Sequence, residues 1–99
     1  MIGYRFLSAA EKEMTEAVLF YDAASRGLGN DFLDDIQQAI QKLREHPHSG
    51  GPLVSGLRRK LLHRFPFSVV YALDTDAVLV IAIAHHGRRP GYWTSRVDR

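Results

Sequence analysis

The run Val78-Leu-Val-Ile-Ala-Ile-Ala84 constrains this chain more than any other stretch. Seven consecutive apolar residues, rich in β-branched side chains, read as a strand buried on both faces, although periodicity alone leaves a short buried helix open. The run ends abruptly in His85-His86-Gly87-Arg88-Arg89-Pro90-Gly91-Tyr92-Trp93. Polar side chains held against the end of a rigid buried strand are well placed to form a site. The rest of the chain is expected to support this sheet and its polar end.

Two further strands precede the run. Leu57 to Phe65 (LRRKLLHRF) alternates imperfectly: one parity reads Leu57, Arg59, Leu61, His63, Phe65, the other Arg58, Lys60, Leu62, Arg64. The second parity is the more basic and is expected to face solvent or a ligand. Pro66 suits a turn or an edge. Phe67 to Leu73 is the next strand, and Asp74-Thr75-Asp76 is a tight turn into the apolar run. Near the start, Tyr4 to Leu7 has aromatics at spacing two and reads as a short strand.

Between the first strand and the others lie two helices. Ser8-Ala9-Ala10-Glu11 has the form of a capping box. Ala10, Met14, Ala17, Val18 and Tyr21 then make an apolar stripe, with Lys12, Glu13 and Glu16 elsewhere on the helix. The first helix is expected to end near Ser25, with Gly27 as the stop signal. The second is expected to start around Gly29-Asn30-Asp31, with Asn30 as N-cap and Asp31 favoured by the helix dipole. Phe32, Leu33, Ile36, Ile40 and Leu43 form its apolar stripe, and Asp34, Asp35, Gln37, Gln38, Gln41 and Lys42 fill the other face. Pro47 ends it. The short link implies an antiparallel helical hairpin. His48 to Gly56 reads as loop, and Thr94 to Arg99 as a loose polar tail. The order β-α-α-β-β-β predicts an α+β fold in which the hairpin covers one face of a small, mainly antiparallel sheet and leaves the other partly open.

At 99 residues the chain is expected to be a single domain over residues 1–99. Without cysteine it has neither disulfides nor thiolate metal sites, which fits a reducing compartment. No apolar run is long enough to span a membrane, and the first residues have no long apolar core of a signal peptide, so a cytoplasmic location is expected. Charge is unevenly placed. Residues 1–45 hold five Lys/Arg against eight Asp/Glu, a balance of −3, and residues 46–99 hold eight against three, a balance of +5. All five histidines lie in that basic half. Such a division suggests that one face meets a polyanion or an acidic protein.

The order of elements and several local sequences together resemble the RelE/ParE superfamily of bacterial type II toxins, often described as plasmid stabilisation proteins. The resemblance covers almost the whole chain. It rests on Phe6-Leu7-Ser8, Tyr21 and Gly27-x-Gly29 before Phe32, and on His46-Pro47-x-x-Gly50. It rests further on Leu57-Arg58-Arg59, Arg64-Phe65-Pro66-Phe67-x-Val69-x-Tyr71, and Ala84-His85-His86-x-Arg88-Arg89-Pro90-x-Tyr92-Trp93. It implies one of two functions on one fold. RelE-like members are ribosome-dependent endoribonucleases that cut mRNA in the ribosomal A site; ParE-like members bind DNA gyrase and poison it. In both, a cognate antitoxin wraps the toxin, and operator DNA is bound only through that antitoxin. No cofactor, metal or membrane is implied.

A metal-free nuclease needs a base, an acid and cations around the phosphorane. On that reading the catalytic candidates are His63, Arg64, His85, Arg89 and Tyr92, with His86 an alternative to His85. On the binding reading a basic face of Arg58, Lys60, Arg64, Arg88 and Arg89, with Trp93, engages the target. Adjacent strand residues face opposite ways, so at most one of His85 and His86 meets a substrate. Tyr21 and Tyr71 read as core aromatics, and Trp93 also as a cap on the core. The basic half holds one lysine, Lys60, rather than the lysine-rich set of the RelE-like enzymes, which favours the ParE-like function. A non-toxic interaction module is the third possibility.

Overall fold

The computed structural model describes residues 1–97. Five strands and two helices follow in the order β1 (Gly3–Phe6), α1 (Ser8–Ala24), α2 (Leu28–Glu45), β2 (Gly51–Pro52), β3 (Arg58–Leu61), β4 (Phe67–Leu73) and β5 (Ala77–His85). They form one sheet in the spatial order β1-β5-β4-β3-β2. The β5 strand, which contains the apolar run, lies between β1, which is parallel to it, and β4, which is antiparallel. The expected α+β architecture and the mainly antiparallel sheet are therefore observed. The two-residue strand β2, within the expected loop, is an addition; Pro52 sits on its edge, where a missing N–H costs no ladder bond.

The helices cover one face. Phe32, Ile36, Ile40 and Leu43 of α2 and Ala10 and Ala17 of α1 pack against Phe67, Val69, Tyr71, Val78, Val80 and Ile83. The other face is less open than expected. Leu57, Val70, Ile81, Ala82 and Ala84 are buried there under Leu7, Leu53, Tyr92, Trp93 and Val97. Both faces of β5 are thus covered, which is why its sequence is apolar without alternation.

Several local expectations fail for identifiable reasons. The capping box does not form: Leu7 is the N-cap in an extended conformation and no side chain caps α1. Leu7 still belongs to the sheet, with its N–H bonded to the Val80 carbonyl, so the helix begins before Ser8 can act. Asn30 is not the N-cap of α2 either. Gly27 takes that place with φ 88°, a left-handed conformation that suits glycine. The cap comes from the preceding helix, where Asp22 Oδ1 accepts from the N–H groups of Gly27 and Gly29. The helices meet so closely there that a Cβ on Gly29 would lie 2.6 Å from the Val18 carbonyl oxygen.

The strand expected over Leu57–Phe65 ends at Leu61, and the next residues form a turn. Asp35 causes this. It does not lie on the solvent face of α2 but is 5% exposed, and its carboxylate accepts from the amides of His63, Arg64 and Phe65 at 3.1, 2.7 and 3.3 Å. These amides bond to a carboxylate instead of a neighbouring strand. Tyr71 is a core aromatic as expected; its hydroxyl donates to the Pro47 carbonyl and accepts from the Gly50 amide, tying the exit of α2 to β4.

Asp35→Ala leaves three turn amides without their acceptor. The expected loss is about 2–4 kcal/mol, read as a lower urea midpoint, with Asp34→Ala at the adjacent exposed position near neutral. An unchanged midpoint for Asp35→Ala would remove the carboxylate as the anchor of this turn.

Candidate functional site

The geometry at the end of β5 is set by a bulge. Val70 pairs with Ala82 but Tyr71 pairs with Val80, so Ile81 is an extra residue in β5. A bulge shifts the alternation by one. Val78 and Val80 face the helices before it, and Ile83 does so after it. The same shift carries His85 to the helix side, where its ring stands edge-on to Phe67 at 5.0 Å. His86 goes the other way, with Nε2 2.8 Å from the Ser68 hydroxyl. The two rings therefore take different partners, yet both reach the cleft at the end of β5, where the alternation rule placed at most one. The Nδ1 atom of His85 accepts from the Gly87 amide, so in the neutral ring the proton sits on Nε2.

On the open face a cleft of about 130 Å³ is lined by Arg59, Ser68, Ala84, His85, His86, Arg88, Pro90 and Trp93. Trp93 has two roles there, covering the second apolar cluster and walling the cleft. Arg59 makes no ion pair among the described residues. In the sequence it shares the less basic parity with Leu57, Leu61, His63 and Phe65, the parity not expected to face solvent or a ligand. The register reverses that assignment: Arg59 pairs with Val70 of the open face, while Arg58 and Lys60 pair with Tyr71 and Val69 of the helix-bearing face.

The expected basic face is accordingly not one face. Arg58 donates to the carbonyls of His48 and Gly50, a structural task. Lys60 and His63 line a groove of about 400 Å³ against Asp35, Gln38 and Lys42 of α2. Arg64 lies on the turn held by Asp35, 3.7 Å from Asp31. Arg88 and Trp93 are the members of the expected set that meet at the cleft; Arg89 follows Arg88 in the exposed loop and makes no ion pair among the described residues. Of the catalytic candidates, His85 is at the cleft, and His63 lines a different groove. Tyr92 is held elsewhere. Among the described residues no three His, Asp or Glu side chains group as metal ligands.

The residue that holds Tyr92 is Glu13, which the sequence placed on the outer side of α1. It is partly buried and accepts from the Tyr92 hydroxyl at 2.7 Å, the Ile83 amide at 3.0 Å and both terminal nitrogens of Arg96 at 2.8 and 2.9 Å. Arg96 also donates to the Ile81 carbonyl. The segment from Thr94 is thus a short 3₁₀ turn fixed by Arg96, not a loose tail; Asp98 and Arg99 lie outside the described residues. Arg88 stacks on the Tyr92 ring at 3.9 Å and reaches to 3.7 Å from Glu13. Burial raises the Glu13 carboxyl, but hydrogen bonds from Arg96, Tyr92 and Ile83 and the charge of Arg96 outweigh it and hold the carboxyl below the usual glutamate value. Burial, with the bond to Glu13 and its negative charge, pushes the Tyr92 hydroxyl well above the ordinary tyrosine range. That hydroxyl is a committed donor.

The family model described as the ParE toxin of the type II toxin-antitoxin system, parDE, matches residues 4–90. A solved structure described as the chromosomal ParDE TA system from P. aeruginosa superposes with a TM-score of 0.74, covering 86% of this chain and 96% of that one at 18% sequence identity; at that identity the likeness is one of fold. No curated protein matches the sequence. Fold and family model together put the chain among the toxins of type II toxin–antitoxin systems. Within that class, it belongs to the ParE toxin family.

The depressed Glu13 carboxyl predicts a pH window. Its stabilising share is complete above the unfolded glutamate value of about 4.3, and it is lost as pH falls through the lower folded value. Trp93, the single tryptophan, reports on this: its emission should hold steady down to about pH 4.3 and shift towards exposed tryptophan below it. Glu13→Gln should bring that shift to neutral pH. Native emission from Glu13→Gln would show that Glu13 does not hold the C-terminal segment.

Proposed function

We propose that this chain arrests growth as the toxin of a two-protein module, and that it does so by binding DNA gyrase rather than by cutting RNA. The observation that carries the choice is the dispersal of the candidate acid and base groups, which do not converge on one point. Tyr92 donates to Glu13, His86 is bonded to Ser68, His85 accepts a backbone amide through Nδ1, and His63 lines another groove. What the end of β5 presents instead is a set of cations around an aromatic wall, which suits recognition of an acidic protein surface.

A cognate antitoxin neutralises the toxin in this reading. The groove between β1 and α2, about 250 Å³ and lined by Tyr4, Phe6, Leu33, Ile36, Ile40 and Arg44, suits an amphipathic helix. An extended acidic segment would follow the cationic side chains, and operator DNA would be engaged through the antitoxin. Among the described residues no helix is long and apolar enough to cross a membrane.

The purified chain is expected to inhibit supercoiling by purified gyrase. Arg89→Ala, at an exposed cation, should lose potency about tenfold while its melting temperature stays at the wild-type value. In cells, induction without the antitoxin should arrest growth without creating new mRNA ends inside translated codons. New ends that vanish when translation is blocked would overturn this reading in favour of a ribosome-dependent nuclease.

A further inference from the structure

The cleft beside Arg59 and Trp93 does not stop at the tip of β5. His85 and Arg88 line it, and they also line a second cleft of about 300 Å³ walled by Glu16, Phe20, Tyr21 and Phe67. The two clefts adjoin across these shared residues, so an extended segment laid over His85 and Arg88 around the end of the central strand would span both as one groove. Its ends differ in chemistry. On the helix side Phe20 is 68% exposed and stands edge-on to Tyr21 at 5.3 Å. An aromatic so exposed beside a cavity is apolar area that nothing in the described chain covers. On the open side Arg59 has no ion pair among the described residues. Arg88 lies 3.7 Å from Glu13, but that carboxylate is already matched by Arg96 at 2.8 Å. That end carries surplus positive charge.

We infer that this groove takes an extended segment of the target protein, carrying an acidic side chain for the Arg59 and Arg88 end and an aromatic or large aliphatic side chain for the Phe20 end. Glu16 sets the direction, because a second acid beside Phe20 would meet like charge. Recognition runs through side chains and not through strand addition. The Ile83 amide and the Ile81 carbonyl, which an added strand would need, are held by Glu13 and Arg96. An apolar anchor at one end and an ionic anchor at the other then supply the affinity. That the segment belongs to gyrase rests on the function proposed above; the groove itself rests on its lining.

The test compares the full chain with Phe20→Ala and Arg59→Ala, and with Leu19→Ala as a control at an exposed apolar side chain outside the groove. Binding to purified gyrase and growth arrest in cells are both measured, after melting temperatures show all variants folded. Phe20→Ala and Arg59→Ala should each weaken binding about tenfold and blunt growth arrest in parallel, with Leu19→Ala changing neither. Raising the salt concentration should weaken the wild type and Phe20→Ala with the same slope, and Arg59→Ala with a shallower one. Arg59→Lys, which keeps the charge, should restore most of the binding. Growth arrest at wild-type potency by both Phe20→Ala and Arg59→Ala overturns the groove, whatever the target. A wild-type chain that arrests growth without binding gyrase overturns the choice of target, and blunted arrest in the two variants then still supports the groove. Absence of growth arrest by the wild-type chain overturns both.

Discussion

One carboxylate joins the parts of this molecule. The central strand β5 runs to His85, but its parallel neighbour β1 ends at Phe6, opposite Val80. Beyond that point the edge of β5 would leave the Ile81 carbonyl and the Ile83 amide without partners, and buried unpaired backbone groups are costly. Glu13 from α1 accepts from the amide, and Arg96 from the C-terminal segment donates to the carbonyl. The two side chains then bond to each other in a fork. This ion pair stands where two more residues of a strand would otherwise be. It fixes α1 on one side of the sheet and the C-terminal segment on the other, at a depth where charge-assisted bonds are strong and their loss is severe.

The position of the candidate site follows from that clasp and from the bulge at Ile81. The bulge turns His85 towards the helices and His86 towards Ser68. The clasp holds Tyr92, Tyr92 carries Arg88 on its ring, and Trp93 next to it walls the cleft. Arg59 reaches the same cleft through the β3–β4 register. Arg88 and Trp93 lie on the loop after β5, but that loop is tied to Glu13 through Tyr92 and Arg96, so the cations and the aromatic wall are held in place, which lowers the ordering cost of binding.

The fold was legible because its signals are long. A seven-residue apolar run, two helical stripes and a short link between helices leave little room for another arrangement of these elements. The site was less legible, because it depends on single residues that break patterns. Glu13 lies three residues after Ala10 and four before Ala17, and Asp35 lies three after Phe32 and four before Ala39. Both acids therefore sit on the buried stripe of their helix, and both accept backbone amides that the sheet leaves unpaired. An acid at those offsets was the available signal for each. The bulge left no comparable mark, since every residue from Val78 to Ala84 is apolar and any parity looks equally good. Without the bulge position, neither the direction of His86 nor the company of Trp93 could be read. Arg59 went astray for a related reason, because the mixed parity of Leu57–Phe65 conceals a strand that stops at Leu61.

The measurement that tests the clasp most directly is amide hydrogen exchange at Ile83, compared between the wild type and Glu13→Ala under conditions where both remain folded. The account predicts an Ile83 amide as protected as its ladder-bonded neighbours in the wild type, and selectively exposed in the variant while amides of β4 stay protected. Equal protection of Ile83 in the two proteins would contradict it, and would mean that something other than the Glu13 carboxylate closes the edge of the central strand.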